Sequence, residues 1–221
     1  DAIPVLHDLA DSLDGPSISP AFAGTGAATV AATIRHLKRQ WGPQPPLRQY
    51  RRHGVKGAVS LATGLGLVRS LISGEAQLRP APAWSMVDAS RNGFGIASRT
   101  LDAEICRVGT LVGAHLGDSD NWVLAQVRRV RFCEKAGASV GLVTVSSAPR
   151  PVALDDGSRR WNGILCDPLV RGRTVRIACE PGFLRPGARL FVMQGARMVK
   201  VEPGQVLSSG PGYQILSCQV Q

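Results

Sequence analysis

The sequence predicts a mainly β protein, with a helical N-terminal arm followed by two β units. Three observations carry that prediction. The Pro-rich segment Gly42-Pro43-Gln44-Pro45-Pro46 separates a helix-like stretch from everything after it. Downstream, short runs rich in Val, Ile, Leu and Thr alternate with clusters of Gly, Pro and Asp, the texture of strands and tight turns. A second break, Pro149-Arg150-Pro151, divides the β part in two. The expected domains are therefore 1–46, the arm and linker; 47–150, the first β unit; and 151–221, a second, smaller β domain.

The arm opens on an acidic stretch, Asp1 to Asp14, read as one short helix that Gly15-Pro16 breaks. A second helix is expected over 26–41. Its apolar residues Ala27, Val30, Ile34, Leu37 and Trp41 recur every three or four positions and form one face. Arg35, Lys38 and Arg39 lie off that stripe. The linker stops this helix, because proline lacks an amide hydrogen and fixes its own backbone.

Strands are expected near 54–62, 83–88, 93–99, 109–116, 121–132 and 138–146. The run from Trp122 to Phe132 reads as a long strand with one wet face. Residues Val68–Ala81 are compatible with a loop or a short helix. After the second break, strands are expected at Trp161–Cys166, Thr174–Glu180, Ala188–Gln194, Ala196–Val201 and Gln214–Val220. Pro181-Gly182, Pro186-Gly187 and Pro203-Gly204 are read as the turns between them. No internal repeat is visible.

The composition narrows the function classes. The 221 residues carry a net charge of +10, and the only lysines are Lys38, Lys56, Lys135 and Lys200. Arginine's planar fork suits phosphates and guanine edges, so the excess points to an anionic partner: nucleotide, nucleic acid or membrane surface. A basic domain without such a partner carries the same charge. Five scattered cysteines with no CxxC pair read as reduced thiols in a cytoplasmic protein. No apolar run is long enough to span a bilayer. A chain that begins on Asp1 reads as a mature form or as part of a longer protein. The histidines lack metal-ligand spacing, and no Walker loop, HExxH or GxSxG occurs. The chain therefore reads as non-enzymatic.

Two patterns carry chemistry: Arg48-Gln-Tyr-Arg51-Arg52, and Asp88-Ala-Ser90-Arg91-Asn-Gly93. RxxxR alone is uninformative, since it recurs at Arg35/Arg39 and Arg185/Arg189. The second pattern occurs once. In this order, RxxxR then (D/N)xSxxG, they resemble the signature of the PilZ family of cyclic di-GMP receptors. The later segments Gly137-Ala-Ser-Val-Gly141 and Trp122 to Arg129 are similar to that family too, and the resemblance covers about residues 47–150. It implies a PilZ-type six-stranded antiparallel β-barrel, cyclic di-GMP as ligand and no resident cofactor. The sequence departs from the family in two ways. The Arg52-to-Asp88 interval is long, so Val68–Ala81 is expected to be an insertion or extended hairpin. A β unit also stands where a C-terminal helix is common.

The residue types suit the implied ligand. A guanine O6/N7 edge accepts an arginine fork, and its N1 and N2 protons need an acceptor. Arg48 and Arg52 are expected to reach phosphates and guanine edges, and Asp88 to accept from the base. Ser90 is expected to bond in the turn or to the ligand, and Gly93 to permit a close approach. Arg51 and Arg91 are neighbours of secondary interest. On the long strand Arg129 and Arg131 share one face, with Arg128 on the other, and Trp122 offers a stacking surface. The expected role is ligand sensing that changes a protein partner or another part of a longer chain. The resemblance implies motility, biofilm or polysaccharide output as the process controlled. The alternatives are a β-barrel that binds single-stranded nucleic acid, and a PilZ module that binds only proteins.

Overall fold

The computed structural model describes residues 4, 8, 30, 33–38, 50–77, 84–100, 102–117, 119, 121–133, 137–182, 189–195 and 197–221. Two compact units, Asp1–Arg51 and Arg52–Gln221, make up the chain. In the first, residues 33–38 are helical, as are residues 4, 8 and 30, with Val30 and Ile34 buried and Arg35 exposed. Ala27 and Trp41 of the expected stripe lie outside the described residues.

The second unit is built from β1 (His53–Thr63), α1 (Leu65–Ile72), β2 (Trp84–Ser90), β3 (Gly93–Ser98), β4 (Leu111–Leu116), β5 (Trp122–Cys133) and β6 (Gly137–Ser146). These are followed by β7 (Arg150–Asp155), β8 (Arg160–Leu165), β9 (Thr174–Cys179), β10 (Leu190–Gln194), β11 (Arg197–Gly210) and β12 (Tyr213–Val220). The protein is mainly β, and its strands close into two six-stranded antiparallel barrels. Closure is made by β1 against β4 in the first barrel and β7 against β10 in the second. It removes the sheet edges that an open sheet would expose.

The two barrels share one strand order. The first runs β1-β2-β3-β6-β5-β4, and the second, read from its first strand, runs β7-β8-β9-β12-β11-β10. The repeat that the sequence does not display is thus present in the topology, because pairing order depends on alternation and not on residue identity.

Each barrel has its own apolar interior. Val59, Phe94, Ile96, Val112, Val127 and Val140 help fill the first, and Leu154, Leu165, Ile177, Leu190, Val192 and Leu216 the second. A third cluster lies between them. Leu65, Val68 and Leu71 of α1, with Leu111 and Leu124, meet Ile164, Ala178, Tyr213 and Ile215 there. Residues Leu124–Val127 of β5 and Ile215–Leu216 of β12 are therefore buried on both faces, one toward a barrel interior and the other toward the neighbouring barrel.

Three expectations are corrected. Val68–Ala81 forms no extended hairpin: a helix begins at Leu65, and its Leu65, Val68 and Leu71 are buried at three-residue spacing (residues 78–81 lie outside the described set). Arg150 and Pro151 open β7, ahead of the first strand expected in the second unit at Trp161. Pro203-Gly204 is no turn, and β11 runs through it to Gly210. Among the described residues, both prolines have one strand neighbour. Pro151 pairs with Ile164 of β8, while β10 meets β7 only over Ala153–Asp155. Pro203 pairs with Cys218 of β12, while β10 meets β11 only over Arg197–Val201. A residue with one paired side can lack an amide hydrogen.

Candidate functional site

The Asp88–Gly93 motif ends β2, turns, and begins β3. Ser90 Oγ donates to the Gly93 carbonyl at 3.0 Å and so closes the hairpin. A Cβ on Gly93 would overlap the Leu142 carbonyl of β6, so glycine is required for β3 to lie this close. Asp88 accepts a hydrogen bond from Arg52 Nη1 at 2.5 Å, an ion pair in which each side chain is about a quarter exposed (24% and 29%).

Two β-bulges set where the charged side chains point. Between Met86, paired with Ile96, and Asp88, paired with Gly95, Val87 is an extra residue on β2. Between Val127, paired with Leu142, and Arg129, paired with Gly141, Arg128 is an extra residue on β5. Each insertion shifts the side-chain alternation by one, so Met86 and Val127 face the interior while Asp88 and Arg129 face outward.

The result is one row of cross-strand partners: Gly54, Asp88, Gly95, Gly141 and Arg129. From Asp88 to Arg129 it crosses three strand spacings, roughly 14 Å. The two central residues are outward-facing glycines. A Cβ on Gly95 would come within 2.7 Å of Asp88 Oδ1 and 3.5 Å of Arg52 Nη1. A Cβ on Gly141 would lie 3.4 Å from Arg129 Cβ and 3.6 Å from its Nε. The missing side chains thus let the Arg52–Asp88 pair lie down on β3 and Arg129 lie down on β6. The row presents two guanidinium groups and a carboxylate on a flat floor, donors for phosphate or a guanine edge beside an acceptor for ring N–H groups.

Arg52, Asp88, Ser90, Gly93 and Arg129 are gathered on or beside this row. Arg131 is on the same face one outward position further along β5, paired with Ser139. Arg91 is exposed at the hairpin tip, and Arg51 is exposed just before β1. Trp122 is not brought to the row. It stands seven residues from Arg129 along β5, roughly 23 Å, packs on the inter-barrel cluster and tilts against His115 at 5.3 Å between ring centroids. Arg48 lies outside the described residues.

Gly95, Gly141 and both bulges were missed as parts of the site. A second glycine two positions beyond Gly93, and Gly141 at the end of the Gly137–Gly141 segment, are the traces they leave in the sequence. Comparison of the chain with family models, curated proteins and solved structures finds no match.

Proposed function

We propose that the chain is a receptor for cyclic di-GMP that binds and does not catalyse, with the Asp88–Arg129 row of the first barrel as its binding surface. The reading rests on one observation: the motif carboxylate Asp88 and the motif arginine Arg52 meet over a bare glycine of the adjacent strand. Asp88 would accept from guanine N1 and N2 while Arg52 and Arg129 address the phosphates and the O6/N7 edge. Engagement of Arg48 and Arg52 by one ligand would restrain the segment that joins arm and barrel. A protein partner, or another part of a longer chain, would then read the arm's position. Regulation of motility, biofilm or polysaccharide output is the corresponding role.

Calorimetric titration with cyclic di-GMP tests this, with cyclic di-AMP and Arg52→Ala as controls. Binding selective for guanine and lost in Arg52→Ala is the expected result. Absence of binding to the unaltered chain would remove the reading.

One observation favours a second reading, single-stranded nucleic acid. Arg128, Arg129 and Arg131 are exposed along β5, and Phe132 near the end of the same strand, on the face opposite Arg129 and Arg131, is 66% exposed; cations and aromatic rings are what polynucleotide surfaces combine. Binding of that kind weakens steeply with salt and tolerates many sequences.

A further inference from the structure

The contact between the two barrels joins two different kinds of outer face. The first barrel supplies Ala62, Leu111 and Leu124 from β1, β4 and β5, together with helix α1. The second supplies Ile164, Ala178 and Ile215, which stand abreast on β8, β9 and β12. In a closed ring of six strands, each strand stands opposite the one three places away. The first barrel thus meets its neighbour on the side of β4 and turns the side of β3 away, while the second meets it on the side of β9 and turns the side of β10 away. By strand order β4 corresponds to β10, and β3 to β9. One face of each kind is used within the chain, and one of each kind is left over at opposite ends of the pair.

The leftover face of the second barrel is apolar. Leu190 and Val192 of β10 point into the interior, so Phe191 and Met193 point out, where they pair with Lys200 and Met198 of β11. Met198 is 62% exposed, and Phe191 and Met193 are half-buried. Among the described residues, none of the three belongs to a barrel interior or to the inter-barrel cluster. In the first barrel a helix packs over the corresponding strands, but β7 passes to β8 through the Asp155–Arg160 hairpin, with no helix between them. Three adjacent apolar side chains outside any core mark a docking surface, and the thioethers of methionine adapt readily to a partner.

The leftover face of the first barrel carries short side chains. Ser85, Ala97 and Ser139 stand abreast on β2, β3 and β6, in the arrangement that Ile164, Ala178 and Ile215 have on the second barrel. Val87, 51% exposed, lies beside them on β2. We propose that the β10–β11 face of one copy of the chain docks on the β2–β3–β6 face of a second copy, continuing between chains the barrel-to-barrel contact made within one. Such an interface is heterologous: each copy keeps one open face of each kind, and copies line up head to tail. The inference goes beyond the cyclic di-GMP reading and does not depend on it, although the docked face adjoins the Asp88 row. A net charge of +10 opposes the approach of like copies, so the contact tightens as salt screens that charge.

Sedimentation velocity of the full chain tests this, from micromolar to about 1 mM protein, at low salt and at about 0.5 M salt. Met198→Glu removes one face and Ser85→Arg the other; both positions are exposed, so melting temperatures should not change. The native chain is expected to form species larger than a dimer as concentration and salt rise. Each variant alone should associate about tenfold more weakly or worse. An equal mixture of the two variants, which holds one intact face of each kind, should form a dimer and nothing larger. A native chain that stays monomeric or stops at a dimer would overturn the proposal. So would a variant that associates like the native chain, or a mixture that stays monomeric. Association that salt dissolves would also overturn it, since that behaviour belongs to a polyanion bridging basic copies. No nucleotide is present in this experiment, so its outcome is separate from that of the cyclic di-GMP titration.

Discussion

Replacing Gly95 with alanine separates the binding row from the fold that carries it. The new methyl carbon would arrive 2.7 Å from Asp88 Oδ1 and 3.2 Å from its Cγ, closer than non-bonded atoms tolerate. The obstacle is the end of a side chain, so the backbone can stay where it is while Asp88 swings away and its pairing with Arg52 is lost. Stability should change little. Loss of a part-exposed ion pair costs about 1 kcal/mol or less, and replacing a strand glycine with alanine returns roughly 0.5–1 kcal/mol. Binding should change much more. Withdrawal of a charged acceptor from the ligand costs about 1.5–3 kcal/mol, or about 10- to 150-fold in Kd. Gly93→Ala is the contrasting case, because there the methyl would meet the Leu142 carbonyl of the backbone and β3 must move, so the whole barrel should lose stability. The assay is denaturant unfolding of both variants beside calorimetric titration with cyclic di-GMP. If the native chain binds and Gly95→Ala binds equally well at unchanged stability, Asp88 and Arg52 do not act from this row and the argument fails.

Other outcomes follow from the same geometry. Tyr213→Phe removes a hydroxyl that donates to the Gly109 carbonyl at 2.7 Å and accepts from Gln126; it should cost about 1–3 kcal/mol, read as a lowered melting temperature. Because the inter-barrel cluster draws on both barrels, calorimetry of the native unit should show one unfolding transition and not two. Burial pushes the thiols of Cys166 and Cys218 up to about 12 and that of Cys179 to about 11. Since only thiolate reacts, these three should resist a disulfide reagent at about pH 8 until the protein unfolds, as mapped by mass spectrometry. The Asp167 carboxyl, depressed by the hydrogen bonds it accepts from Arg176, stabilises the fold above its unfolded-state value, and that contribution disappears as pH falls through the folded value. Asp167→Asn should therefore be less stable than the native chain near neutrality, with the gap narrowing in acid, as followed by unfolding curves across the acid range.

Most of the β framework was legible, because alternation in runs such as Trp122–Phe132 reports a strand wherever one face is dry. Expected and observed strands of the first barrel agree to within about two residues. The failures share a cause. Pro151 concealed the start of β7 and Pro203 reads as a turn residue, yet among the described residues each has a strand neighbour on one side only, a fact about pairing that no local pattern contains. Helix α1 has eight residues and an internal Gly66, so short that the sequence left a loop and a short helix both open. Packing of Leu65, Val68 and Leu71 into the inter-barrel cluster holds it in place. At the site, Arg52 and Asp88 were named by their motif, but the glycine floor was not. Its parts come from two strands, β3 and β6, that meet only after the barrel closes.

The bulges at Val87 and Arg128 have a consequence for how such a surface can be gained or lost. In a strand, inside and outside differ by one residue, so deletion of Val87 would turn either Asp88 or the residues before it to the opposite face without altering a single charged group. A chain could keep every motif letter and still lack the surface, and a one-codon insertion in a silent barrel could create it. For this architecture, spacing carries as much of the binding information as chemistry does, and a comparison that scores residue types while tolerating small gaps would pass over the change that matters.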